Sequence, residues 1–110
     1  MPLFFLSCAA VAVQLLGQGT PTPAFKDECR CVLQNLKDVL EASGSGLDCV
    51  LKTGCLLATI DDYAAFNEVY NEFFTEKATK PARTCFAVAG LPLGARVEVD
   101  CIAMLKGARL

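Results

Sequence analysis

No histidine occurs anywhere in the 110 residues, which removes the usual general base together with the commonest metal ligand. Acid–base chemistry in this chain falls to carboxylates, thiols, tyrosines or bound water. The cysteines Cys8, Cys29, Cys31, Cys49, Cys55, Cys85 and Cys101 are odd in number, and no pair has Cys-x-x-Cys spacing. Both features argue against a disulfide framework or a zinc site. Most of these thiols lie in apolar runs and read as small core residues in a reducing compartment. No cluster of Lys or Arg is present, the net charge is −2 and the pI is near 5.0. Nothing in that balance supports a nucleic-acid footprint. The apolar run over residues 2–16 is too short to span a bilayer and follows no basic residue, so neither a membrane span nor a secretory signal is the preferred reading. It reads as a buried strand. Leu6-Ser7-Cys8-Ala9 resembles a lipoprotein cleavage site only superficially, because too few residues precede the cysteine.

Residues 1–110 form one domain, large enough for a single core. Hydrophobic residues make up 54% of the chain and charged residues 20%, more apolar surface than a small monomer usually hides. An obligate oligomer would account for the excess.

A loop by composition, residues 17–23, precedes helical spacing of Phe25, Cys29, Val32, Leu36 and Val39/Leu40 within residues 24–42. Gly44 ends that helix. Cys29 and Cys31, two residues apart, point to different helix faces and form no site. Residues 50–59 read as a central strand with a bulge expected at Gly54. Asp61-Asp62 offers an N-cap for a second helix from Tyr63 to about Glu76, with a buried stripe of Phe66, Val69, Tyr70 and Phe73. Residues 77–81 stop it.

Residues 84–89 and 95–103 are rich in apolar and β-branched side chains, with turn residues between them at 90–94. An antiparallel hairpin is the natural reading. Symmetric pairing sets Cys85 opposite Glu98 and Phe86 opposite Val97. Phe86, Val88, Val97 and Val99 then share a core face, while Arg83, Cys85, Ala87, Glu98 and Asp100 share the other. A slip of one residue would separate Arg83 from Glu98. The element order is strand, helix, strand, helix, strand, strand. The expected fold is two-layer α+β, with two helices on one face of a mixed four-stranded sheet. Its other face is too mixed for plain solvent, and subunits are expected to close over it.

Asn67-Glu-Val-Tyr70 before Phe73-Phe74, then Pro81-Ala82-Arg83-Thr84-Cys85, Leu91-Pro92, Val97-Glu98-Val99 and Ile102-Ala103, resemble the Rid (YjgF) family of reactive-intermediate deaminases. The likeness covers residues 26–105. It implies a chorismate-mutase-like subunit, a cytoplasmic homotrimer with pockets between subunits, and no cofactor, metal, nucleic-acid or membrane partner. The implied reaction is hydrolysis of small imines and enamines, such as 2-iminopropanoate and 2-iminobutanoate, to a 2-oxo acid and ammonia. Carried onto this chain, Arg83 would grip the substrate carboxylate with its planar guanidinium, and Glu98 would position and activate the attacking water. Cys85 would supply position and its backbone carbonyl more than a nucleophile, and Asn67 would support the pocket.

Read without the resemblance, Arg83 and Glu98 form a structural ion pair with equal reason, and Asn67 serves a nearby backbone group. The tyrosines and phenylalanines of the second helix read as packing rather than a substrate cage. The family's opening strand with its Gly-Pro-Tyr-Ser-like segment has no counterpart before residue 1, and its Ser-Gly-Gln corresponds at best to Ser7-Cys8-Ala9. Ser7 is therefore the remaining pocket residue of that region. A cysteine stands where glycine would let backbone approach a ligand. Two explanations compete: a divergent member serving another substrate, and a trimeric ligand-binding form with weakened catalysis.

Overall fold

The computed structural model describes residues 3–4, 25–75 and 80–107. The elements are β1 (Leu3–Phe4), α1 (Phe25–Ala42), β2 (Val50–Leu57), α2 (Tyr63–Phe73), β3 (Ala82–Ala87) and β4 (Val97–Met104). The α+β class, the element order and the two-helix layer all agree with the sequence. The loop over 17–23, Ser7, and all of the N-terminal strand except Leu3–Phe4 lie outside the described residues.

Each helix forms because its apolar residues recur every three or four positions. On α1 these are Phe25, Cys29, Val32, Leu33, Leu36 and Leu40; on α2 they are Phe66, Val69 and Tyr70. Both stripes bury against Thr53, Cys55 and Leu57 of β2 and Val97, Val99 and Cys101 of β4, giving one continuous core. Truncating one of the fully buried leucines costs about 2–5 kcal/mol in such a setting. Gly44 ends α1 in the left-handed region at φ 82°, where glycine carries no Cβ penalty. Ser45 N–H then donates to the Leu40 carbonyl at 2.8 Å. The second helix ends at Phe73, and Phe74 just past it is the more buried of the two rings.

The sheet order is β1-β4-β2-β3, so the expected β3–β4 hairpin does not form. Strand β2 lies between them, parallel to β3 and antiparallel to β4. The physical reason is the connection over residues 88–96, longer than the two to five residues of a tight hairpin. It crosses the end of β2 instead. Val88 N–H donates to Leu57 O at 2.9 Å, and Ala58 N–H donates to Arg96 O at 3.0 Å. A parallel partner requires a crossover, and α2 supplies it.

The inserted strand changes the faces. Arg83 pairs with Thr53, and Thr53 with Cys101; Phe86 pairs with Leu56, and Leu56 with Glu98. The first row faces the helices and the second faces away. Val97 and Val99 are buried as expected, but Phe86 stands 52% exposed on the open face. The irregularity in β2 falls between Val50 and Lys52, not at Gly54, which keeps regular pairs with Thr84 and Asp100. Asp62 makes no capping bond to α2. Its carboxylate instead accepts from Arg96 Nη2 at 3.3 Å, and Thr59 Oγ1 takes the Asp61 N–H.

Candidate active site

The site grows from the edge where β3 runs beside α2. Arg83 projects from β3 toward the helix layer, and the helix offers it Tyr63, Asn67 and Tyr70, spaced four and then three residues apart on one face. Arg83 Nη1 donates to Asn67 Oδ1 at 2.6 Å and Nη2 to the Tyr63 hydroxyl at 3.2 Å. The guanidinium carbon stands 4.7 Å from the Tyr70 ring centre and 5.8 Å from that of Tyr63. Tyr70 is itself fixed from behind, its hydroxyl 2.9 Å from Thr53 Oγ1, a side chain with no solvent exposure. Burial pushes the Tyr70 phenol up, which keeps it protonated and able to share that bond.

Among the described residues the side chains that Arg83 bonds or stacks on, Asn67, Tyr63 and Tyr70, are neutral. Among the described residues the ion pairs are Lys26–Glu68, Arg30–Asp27, Arg30–Glu72 and Arg96–Asp62, and Arg83 enters none. Its orientation is fixed, and no described residue compensates its charge. A guanidinium in that state has N–H donors left for an external carboxylate, which it can take bidentately.

Cys85 lies two residues along β3 on the same side, paired with Cys55 and half-buried against the core. Burial raises its thiol pKa, with Arg83 pulling the other way, so at neutral pH it is a protonated wall rather than a thiolate nucleophile. Cys29 is fully buried and Cys31 half-buried, in line with their opposite helix faces. Glu98 is not brought to Arg83. The two sit on opposite faces, three residue rows and two strand spacings apart, which at standard spacings is about 14 Å between backbones. Glu98 is half-exposed and has no partner among the described residues. An ion pair between them within one chain is thereby excluded.

Of the residues singled out in the sequence, the structure brings Arg83 and Asn67 together with Cys85 close by on β3. It sets beside Arg83 two tyrosines read there as packing, Tyr63 and Tyr70, and Thr53, which the sequence did not single out. The signal for the two tyrosines was present: from Asn67, positions four back and three on share one helical face. A shallow hollow of about 210 Å³ opens beside Arg83, lined by Asn67, Tyr70, Asn71, Lys80, Pro81 and Arg83. A second, about 220 Å³, lies on the open sheet face between Lys52, Gly54, Leu56, Thr84, Phe86, Asp100 and Ile102.

Residues 10–105 match the family described as Endoribonuclease L-PSP. The chain belongs to the Rid (YjgF) family. Among its relatives are protein HMF1 of Saccharomyces cerevisiae, 51% identical over 77 residues that cover 70% of this chain and 58% of that one. The 2-iminobutanoate/2-iminopropanoate deaminase of Homo sapiens is 38% identical over 78 residues, covering 71% and 56%. The chain thus spans a little over half the length of these Rid relatives. Solved Rid structures share the fold. YEO7 of yeast superposes with a TM-score of 0.77 at 39% identity, covering 94% of this chain and 78% of that one. TdcF of E. coli with bound serine gives 0.74 at 31%, covering 89% and 76%. Among the described residues, no helix is long and apolar enough to cross a membrane.

Proposed function

We propose that this Rid-family chain hydrolyses small 2-imino acids, of the 2-iminobutanoate and 2-iminopropanoate type, to 2-oxo acids and ammonia at sites shared between subunits of a homotrimer. The observation that carries the reading is the oriented, charge-uncompensated Arg83 guanidinium on neutral partners, a receptor for a carboxylate. The relatives named as deaminases supply the reaction class.

Arg83 and Glu98 of one chain face opposite sides of the sheet, so a ligand held by Arg83 takes its Glu98 from a neighbour whose open sheet face packs against this edge. Exposed Phe86 and partly exposed Leu56 and Ile102 make that face too apolar for water. In the reaction, Arg83 fixes the substrate carboxylate and Glu98 accepts a proton from water as its oxygen bonds to the imine carbon. That proton passes to the imine nitrogen to give a carbinolamine. Glu98 then takes the hydroxyl proton and returns it to nitrogen as the C=O bond forms and the C–N bond breaks, releasing ammonia and the 2-oxo acid. Asn67 positions Arg83, and Cys85 lines the wall. No added cofactor is required. Ser7, outside the described residues, is carried over as a pocket residue from the family likeness alone. The location is cytoplasmic, on the thiol-rich composition. Cell fractionation decides between that and the organelles named for the Arabidopsis thaliana and Schizosaccharomyces pombe relatives.

The deciding assay generates 2-iminobutanoate in situ with an amino-acid oxidase and follows release of the 2-oxo acid. A rate no faster than buffer, with the chain folded, rejects the activity. Subunit mixing tests the shared site. Arg83→Ala and Glu98→Gln are each inactive alone, and refolded together they recover about a quarter of the parent rate, because random assembly pairs an intact Arg83 with an intact Glu98 at one interface in four. Absence of recovery places both residues within one chain's site or outside it. Phe86→Glu shifts the light-scattering mass from trimer to monomer; an unchanged trimer removes the open face from the interface.

A further inference from the structure

Lys80 shares a hollow with Arg83 that hydrolysis of a simple 2-imino acid leaves without a role. The hollow, open to solvent on one side, has about 210 Å³, room for more than a single carboxylate group. Arg83 reaches it from β3, and Lys80 from the segment leading into β3, with Pro81 lining the wall between them. The ammonium of Lys80 donates to Asn71 Oδ1 at 2.8 Å, as Arg83 donates to Asn67 Oδ1 at 2.6 Å. Asn67 and Asn71 are four residues apart on α2, so one helical face presents two amide oxygens, each orienting one cation.

Neither cation is in an ion pair among the described residues, and no described acidic residue of the same chain lines the hollow, so the one carboxylate that the proposed neighbour's Glu98 would bring leaves a net positive charge there. Amide oxygens orient a cation without cancelling its charge. Two oriented positive charges facing one concavity repel each other, and an entering anion relieves that repulsion, most fully when it carries two negative groups. Lys80 and Asn71 are both exposed, and the hydrogen bond between them holds the ammonium beside the hollow that both residues line.

We propose that the hollow makes this chain selective for ligands with two carboxylates. Arg83 takes the carboxylate next to the 2-oxo or 2-imino carbon, and Lys80 takes a second carboxylate at the far end of the side chain. The inference rests on the assignment of Arg83 as the carboxylate holder.

The test is calorimetric titration of the full chain with two 2-oxo acids that share the head group, 2-oxobutanoate with one carboxylate and 2-oxoglutarate with two. In the parent, 2-oxoglutarate binds about fivefold tighter at low salt, the range of one partly exposed ion pair, and the ratio shrinks in high salt. In Lys80→Gln the ratio falls to about one, and in Lys80→Glu it inverts. Lys80 is exposed, so these variants keep the fold. A ratio near one in the parent, a ratio unchanged in Lys80→Gln, or no binding of either acid overturns the proposal. Failure of imine hydrolysis is scored separately: a chain inactive on 2-iminobutanoate that still shows the Lys80-dependent ratio retains the dicarboxylate subsite and loses only the deaminase reading.

Discussion

Asn67 on α2 accepts a 2.6 Å hydrogen bond from the Arg83 guanidinium on β3, joining the crossover helix to the edge strand it delivers. The bond orients the cation from an element that is part of the core, since Phe66 and Val69 on either side of the same turn are fully buried. A loop residue in the same role would transmit its own motion to the site. Here the positioning group is as rigid as the helix.

Replacing that amide by a carboxylate separates geometry from charge. Asn67→Asp keeps the size of the side chain and gives Arg83 an internal counter-ion, which competes with any external carboxylate. Affinity for 2-oxobutanoate falls about tenfold or more by calorimetry, the scale of a charge-assisted hydrogen bond, while thermal stability is unchanged or rises. Asn67→Ala loses the orientation only and weakens binding by a smaller factor. If both variants bind as tightly as the parent, Arg83 does not hold the ligand.

The Tyr70–Thr53 pair supports the same guanidinium from below. Tyr70→Phe keeps a ring 4.7 Å under Arg83 but leaves the buried Thr53 hydroxyl without that partner. Urea unfolding is expected to show a loss of about 1–2 kcal/mol. Adding Thr53→Val, which removes the stranded hydroxyl, costs less than it does in the parent background. Strictly additive losses would mean that the two hydroxyls do not interact.

What the sequence disclosed follows from the range of each interaction. Both helices were legible because their stripes are local and repeat every three to four residues, and the end of α1 was marked by Gly44. The partner of β3 was not. Pairing with the next strand in sequence is the usual outcome, and only the length of the 88–96 connection pointed to a strand lying between. That one insertion moved Arg83 and Phe86 to the faces opposite those expected, while Val97 and Val99 kept theirs. Arg83, Cys85 and Asn67 were singled out through the Rid motif, and the structure sets Asn67 against Arg83 with Cys85 two residues along β3. Helical spacing put Tyr63 on the face of Asn67, where it was read as packing, and Lys80 was read only as part of the segment that stops α2; that both stand beside Arg83 follows only once α2 lies against β3.

Glu28 provides a test away from the site. Its carboxylate is 3% exposed as a residue and accepts the backbone N–H of Arg96 at 3.0 Å, while the Arg96 guanidinium lies 4.8 Å from the Phe25 ring centre and bonds Asp62. This clasp fastens the start of α1 to the entry of β4. Glu28→Ala strands that N–H and is expected to cost about 1–3 kcal/mol by denaturant unfolding. Glu28→Gln preserves an acceptor and costs less. Equal losses would show that the charge of Glu28, not its acceptor oxygen, matters there.

Alkaline pH should unfold this protein through its core thiols. Cys29 and Cys55 are fully buried, and burial pushes both thiols up to about 12, whereas an exposed thiol in the unfolded chain ionises near 8.5. Between those values the native state binds more protons than the unfolded state, so stability falls as pH rises. The slope approaches about 1.4 kcal/mol per pH unit for each such thiol. Below about pH 8 both states hold the protons and this contribution is flat. Urea midpoints are therefore expected to be level from neutral pH to about 8 and to decline above it. Cys29→Ala and Cys55→Ala, each less stable at neutral pH from the lost volume, should decline less steeply by about one thiol each. Lysine and tyrosine titration also enters above pH 10, so the comparison of slopes between parent and variants, rather than the parent curve alone, isolates the cysteines. Parallel curves for parent and both variants would show that these thiols do not stay protonated in the folded chain.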